Sequence, residues 1–389
     1  MVKRIEQLDG IRTVAIAAVF IHHTLHVKLL WMGVDLFFIL SGFLITGILI
    51  DHKKQSLGQY FRYFYERRAR RILPPYLLLL LVVSVLFGMA WARHWYFYFF
   101  LMNFVFAFHI PHPQSFEILW SLAVEEQFYL LWPLAVYFLS EQALAWVAAA
   151  IVLIAPLLRW FCTPLFAYHW PIYALTPFRM DLLATGALIS ILWRHRQDAI
   201  KRFGHYGLIF SAFALLTLLA LSRKPGFRTT SNTQLPNVCI YELTLIACTG
   251  ALLWALSGRM TGLLTLSPIR YVGRISYTIY LIHLTVFLLV TRYVHGFFAA
   301  AGVTFVATLL YAALSWFVLE RPMLARRPNF ALSSHLEIIE TYVPVSLARA
   351  AFESGIPTWA NLGQVLDAQA TFVPARPCSS RPAEPVPHR

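Results

Sequence analysis

Residues 33–50 read GVDLFFILSGFLITGILI, eighteen positions in which Asp35 is the only ionisable side chain. A helix needs about 20 such residues to cross the hydrocarbon of a bilayer, so this stretch reads as a span. A carboxylate cannot stand alone there, and Asp35 calls for a partner on another helix, such as Arg12 or a histidine. Gly33, Gly42 and Ser41 are small enough to let a neighbouring helix come close.

The same texture continues on both sides of this stretch. Apolar residues make up 59% of the 389 and charged residues 13%, with a mean hydropathy of +0.63. That leaves too little polar surface to cover a water-soluble globule of this length. Spans are predicted at about 11–30, 33–50, 72–92, 120–139, 143–162, 180–193, 206–222, 238–257, 274–294 and 298–319. The fold expected is an all-α polytopic bundle of about ten spans. Residues 95–110, WYFYFFLMNFVFAFHI, are an eleventh candidate or an interfacial or re-entrant segment, given their density of aromatics.

Lys3 and Arg4 lead into the first apolar segment as in a signal peptide, but Asp9 and Arg12 interrupt its start and no small-residue cleavage site follows, so that helix is expected to remain. The net charge is +14, yet Lys and Arg fall in short runs between apolar segments, which suits membrane topology better than a nucleic-acid groove. With ten spans and a cytoplasmic N-terminus, the clusters at 53–71, 194–202, 259–274 and 321–327 all lie inside. An eleventh span would invert everything after residue 110 and put the clusters at 194–202 and 321–327, among others, outside, so ten spans with both ends cytoplasmic is the expectation. Residues 1–327 are read as one membrane domain, and 328–389, rich in Pro, Ser and Ala, as a flexible tail. Four scattered cysteines, Cys162, Cys239, Cys248 and Cys378, form no disulfide framework. No internal repeat suggests a transporter built from two related halves.

Polar residues inside the spans carry the chemistry. The first segment, LDGIRTVAIAAVFIHHTLH, places Arg12 at its mouth and His22, His23 and His26 deeper. Eleven residues are close to three turns, so Arg12 and His23 share a face about 16 Å apart. Imidazole is a natural general base, although a histidine bonded to a neighbouring helix is an equal alternative. His22 and His26 lack the further ligands a metal site needs, so none is expected. In YFRYFYERRARRILPPY, Arg67, Arg68, Arg70 and Arg71 precede Pro74 and Pro75, where a helix can begin. The cluster can bind phosphates or simply anchor the topology. In WSLAVEEQFYLLWPL, Glu125 and Glu126 follow Trp120 and Ser121; adjacent helical residues point about 100° apart, so only one carboxylate is expected to line a site. It can orient His23, hold an acceptor hydroxyl or pair with an arginine. Arg179 and Asp181 in FRMD are too near in sequence to face each other and should each meet another span. GRISYTIYLIH adds Ser276, Tyr277, Tyr280 and His283, and LERP adds Glu320.

The order and wording of these blocks, from LDGIR through GVDLFFILSGF, RRARRILPPY, WSLAVEEQFY, FRMD and GRISYTIYLIH to ERP, resemble the acyltransferase-3 family of membrane O-acyltransferases over about residues 5–325. The resemblance implies transfer of an acyl group, commonly acetyl, from cytoplasmic acyl-CoA to a hydroxyl of an extracytoplasmic carbohydrate or glycolipid acceptor. It makes acyl-CoA a co-substrate, with no bound cofactor, and points to a bacterial inner membrane. By family pattern His23 is the catalytic histidine, Glu125 its companion carboxylate, and Arg12, Arg68 and Arg71 the donor-binding cations. Asp35, Ser41, Trp120, Ser121, Arg179, Asp181, Tyr277 and His283 are read as supporting polar residues. Some members carry an additional extracytoplasmic domain; the roughly 60 residues after the spans are too few for one, so a stand-alone membrane domain is expected. Two other classes remain: a transporter or flippase of an anionic or sugar-linked substrate, and a lipid-binding or assembly protein in which the charges are structural.

Overall fold

Backbone N–H and C=O groups in hydrocarbon must be paired within the chain, and for a single segment only a helix achieves this. The computed structural model describes residues 5–88, 94–224, 226–227 and 231–325, and among them all regular structure is helical. The expected tail at 328–389, Cys378 and the flanking cations Lys3, Arg4, Arg93, Arg228, Arg326 and Arg327 lie outside the described residues.

The elements in order are α1 (Gln7–Leu25), α2 (Gly33–His52), α3 (Leu57–Phe87), short α4 (Met102–Ala107), α5 (Leu119–Phe138), α6 (Glu141–Cys162), short α7 (Trp170–Ala174), α8 (Met180–Phe203), α9 (Gly207–Ser222), α10 (Gln234–Ser257), α11 (Ser267–Val290), α12 (Phe297–Ser315) and α13 (Arg321–Ala325). Each of the ten apolar segments read from the sequence overlaps one of the longer helices. Seven segments are long and apolar enough to cross a membrane by length and composition, one of them, Met180–Ser222, holding both α8 and α9. The polar residues of α1 and α5, the histidines and paired glutamates among them, dilute their hydropathy, and neither helix is in that set. The outer faces agree with a lipid surround. Phe210, Phe213 and Leu216 on α9, and Val306, Leu310 and Leu314 on α12, are exposed and form apolar stripes that water would not tolerate.

One local expectation is corrected, and one open alternative is decided. No helix begins at Pro74 and Pro75; α3 starts at Leu57 and carries both prolines inside it, so the arginine cluster is helical and presents residues three apart on one face. Proline removes the N–H donors that would meet the Arg70 and Arg71 carbonyls, a loss a membrane helix tolerates where its neighbours supply other donors; close by, Tyr277 of α11 donates its hydroxyl to the Ile72 carbonyl at 3.2 Å. Residues 95–110 form no spanning helix. They fold as a tight turn at Trp95–Phe97 and the six residues of α4, about 9 Å of helix. Gln127 of α5 holds this segment by donating to the Phe100 carbonyl and to Asn103, both at 3.0 Å.

The bundle is organised around α2, which is apolar on all faces and therefore central. Its main partner is α8. A Cβ at Gly42 would fall 1.9 Å from the Leu183 carbonyl oxygen, and one at Gly186 2.1 Å from that of Ile39, so the two backbones touch where side chains are missing. The pair α1 and α11 is built the same way, a Cβ at Gly273 falling 1.9 Å from the Asp9 carbonyl oxygen. Further along, His23 meets His283, so α1 and α11 run in the same direction. That contact sets the register of the polar residues described next.

Candidate active site

One end of α1 opens on a cavity. Arg12 enters it from α1, and Arg68 and Arg71 from α3. Residues 68 and 71 share a face because they are three apart. Arg67 and Arg70 lie a step round the helix and are engaged elsewhere: Arg67 donates to the Tyr63 hydroxyl at 2.8 Å, and Arg70 pairs with Glu66. Arg68 also rests over the rings of Tyr129 and Phe64, 5.2 and 5.9 Å from their centroids. On the far wall stand Ser41, Ser121, Glu125, Tyr277 and Tyr280, with Phe37 and Phe38 beside them. Glu125 accepts a hydrogen bond from Ser41 at 2.5 Å. Glu126 is outside the lining, its Oε1 buried without a hydrogen-bond partner among the described residues. The 100° step between neighbours thus separates the two carboxylates as expected.

Three guanidinium groups and one carboxylate line the chamber, and Arg12 also lies 3.8 Å from Asp9. Arginine presents a planar fork of donors that matches phosphate oxygens, so this end suits a polyanionic ligand. Two of the lining residues are in contact: the Tyr280 hydroxyl donates to the Ile118 carbonyl at 2.9 Å and lies 2.6 Å from Ser121 Oγ.

His23 is not part of the cavity lining. Its Nδ1 lies 2.9 Å from the Val19 carbonyl and 3.2 Å from Nε2 of His283. Glu125 therefore does not orient His23 by direct contact; His283 of α11 is its side-chain hydrogen-bond partner. His22 packs edge-on against the His23 ring at 4.9 Å with its Nδ1 3.1 Å from the Val27 carbonyl, and His26, in left-handed backbone geometry, packs on Phe297.

The remaining sequence candidates form a separate, sealed layer. Asp35 is paired with Arg179, not with Arg12 or a histidine, and both are fully buried. The Arg179 guanidinium lies among the rings of Tyr241, Trp31, Tyr173, Phe38 and Trp120, 4.8 to 6.0 Å from their centroids. Asp181 meets Arg159 of α6 at 2.7 Å, and Arg159 also donates to Glu242 of α10 at 2.5 Å. Arg179 and Asp181 do each meet another helix. Arg159 is the residue that sequence reading undervalued. A lone arginine three residues inside the end of an apolar helix is itself a signal of buried pairing. Tyr129 was also missed, although it follows Glu125 by one turn and so shares its face.

The family model described as the acyltransferase domain matches residues 5–320. A candidate peptidoglycan O-acetyltransferase of Bacillus subtilis, YrhL, is 28% identical over 81% of this chain and 54% of its own length. The O-acetyltransferase OatA of Staphylococcus aureus is 26% identical over 74% of this chain and 51% of its own length. The peptidoglycan O-acetyltransferase OatA of Listeria monocytogenes is 34% identical over a shorter stretch, 34% of this chain and 24% of its own. The chain thus spans about half the length of the first two relatives and a quarter of the third. No solved structure matches it.

Proposed function

This chain belongs to the acyltransferase-3 family, and from that premise we propose that it is a multi-pass membrane O-acetyltransferase carrying acetyl from cytoplasmic acetyl-CoA to a hydroxyl of an extracytoplasmic carbohydrate or glycolipid. Ten crossings, with both chain ends in the cytoplasm of a bacterium and the bundle in its inner membrane, put the arginine cavity on the donor side and His23 toward the acceptor. The names of the relatives support a cell-wall glycan as the acceptor class.

The observation that carries the reading is the convergence of Arg12, Arg68 and Arg71 on one cavity that also holds Glu125 and Tyr280. The guanidinium groups hold the phosphates of the donor. Its thioester arm reaches past Ser41 and Glu125 to the Tyr280–Ser121 contact, which must part for transfer to proceed. The acceptor hydroxyl gives its proton to His23, its oxygen attacks the thioester carbonyl carbon, the C–S bond breaks, and the departing sulfur ends as the CoA thiol. In a stepwise variant, a His23 nitrogen attacks first and carries the acetyl group to the acceptor. A transporter would use the same cations without breaking the thioester.

The test is acetyl transfer from radiolabelled acetyl-CoA into the extracytoplasmic glycan fraction, using wild type and His23→Ala at equal membrane levels. Transfer by wild type alone supports the enzyme and its base. Equal transfer by both removes His23 from the chemistry, and membrane uptake of label without ester formation favours a transporter.

A further inference from the structure

The hydrogen bonds around the two histidines can be read for direction. A backbone carbonyl only accepts, so the nitrogen facing one carries the proton. Nδ1 of His283 faces the Tyr280 carbonyl at 2.6 Å and the Ile279 carbonyl at 3.2 Å. In neutral His283, Nδ1 is therefore protonated and Nε2 is a lone-pair acceptor. Nδ1 of His23 faces the Val19 carbonyl at 2.9 Å and that Nε2 at 3.2 Å. It too carries the proton and donates to both. Nε2 of His23, which makes no hydrogen bond among the described residues, is left with its lone pair.

The surroundings hold this arrangement in place. His283 is fully buried, with Phe20 and Tyr280 packed at ring-centroid distances of 6.3 and 5.8 Å. The bare approach of Gly273 to Asp9 fixes α11 against α1, which brings His283 level with His23. A core histidine that served packing alone would need only its backbone acceptors, whereas the second nitrogen of His283 is spent on His23.

We infer that His283 is the positioning residue of the transfer: it holds His23 Nδ1–H through its own Nε2, presents His23 Nε2 as the base, and stabilises the positive charge that His23 takes up. The inference rests on the proposed acetyl transfer for its kinetic meaning, but the hydrogen-bond direction stands independently of it. When His23 Nε2 receives the hydroxyl proton, the positive charge spreads toward Nδ1–H, and a neutral acceptor aimed at that proton stabilises the imidazolium. No atom of His283 contacts substrate in this scheme. Tyr280, whose ring lines the donor cavity and whose carbonyl holds His283, links the two sites through one turn of α11.

The experiment is nitrogen-15 NMR of the full chain in lipid nanodiscs with labelled histidine, combined with acetyl-transfer kinetics. The His23 signals are identified by their loss in His23→Ala. The expected result is protonated His23 Nδ1 correlated across a hydrogen bond to unprotonated His283 Nε2. His283→Leu should weaken that bond, seen as an upfield shift of the Nδ1 proton, and lower kcat about 10–100-fold with KM for acetyl-CoA unchanged. His283→Gln, which restores an acceptor oxygen, should recover most of the rate and shows that loss in the leucine variant is not misfolding. A proton on His283 Nε2, or on His23 Nε2, overturns the inference, as does a leucine variant with wild-type kcat. If the bond is observed but wild type transfers no acetyl, the proposed function fails while the hydrogen-bond assignment holds.

Discussion

Arginines enter the interior of this bundle in two ways. Arg179 and Arg159 are wholly buried, each bonded to a carboxylate on another helix and pressed against aromatic rings. Arg12, Arg68 and Arg71 converge on a shared cavity, and the Arg12 side chain keeps 18% of its surface exposed. The first kind is committed to the fold, because its charge is neutralised by a fixed partner. The second kind has partners too, Arg12 lying 3.8 Å from Asp9, but it borders a chamber that a ligand can enter. An ionisable residue in a span is thus a reason to look for function, and its partners decide whether the function is structural.

Removing one member of a sealed pair should give the largest effect. Arg179→Leu strands a buried Asp35 carboxylate, and breaking such a pair costs about 3–5 kcal/mol. Thermal unfolding in detergent should show this, with the double variant Asp35→Leu/Arg179→Leu recovering much of the loss. An unchanged melting temperature in the single variant would erase the distinction between the two kinds of arginine.

The cavity should answer differently. Arg71→Ala and Arg68→Ala should leave the melting temperature near wild type and weaken acyl-donor binding by about 10–100-fold, as expected for losing a charged hydrogen bond worth ~1.5–3 kcal/mol. Lysine should restore charge but not the forked geometry, and so recover only part of the affinity. Raising ionic strength should weaken donor binding to wild type, because the cavity is partly open to water. Loss of folding in both arginine variants would move them into the structural class.

Gly273→Val tests the contact that joins the two ends of α1. Overpacking there should cost about 1–3 kcal/mol of stability and separate His23 from His283, lowering the rate more than donor affinity. The smallest effect should come from Ser41→Ala, which removes one hydrogen bond to Glu125, about 1 kcal/mol, and is best read as a small change in kcat/KM at unaltered stability.

Much of this was legible in the residue order. Apolar run lengths located the helices, whereas the choice of Arg68 and Arg71 came from the family resemblance, since Arg67 and Arg70 have the same i, i+3 spacing. The 100° rule separated Glu125 from Glu126. The start of α3 was misplaced because a proline pair reads locally as a helix boundary, while the Tyr277 bond to Ile72 comes from a helix some 200 residues away in sequence. Asp35 was known to need a partner, but the choice among Arg12, a histidine and Arg179 depends on which helix abuts α2, and that is set by where Gly42 and Gly186 meet.

Composition, period and charge are properties of one segment at a time, and they determined the helical membrane architecture and the face on which each polar side chain stands. Which faces meet was decided by the tertiary structure. Backbone contacts at glycines far apart in the chain fix the register between helices, and with it the sealed Arg179–Asp35 pair, the arginine cavity and the facing nitrogens of His23 and His283.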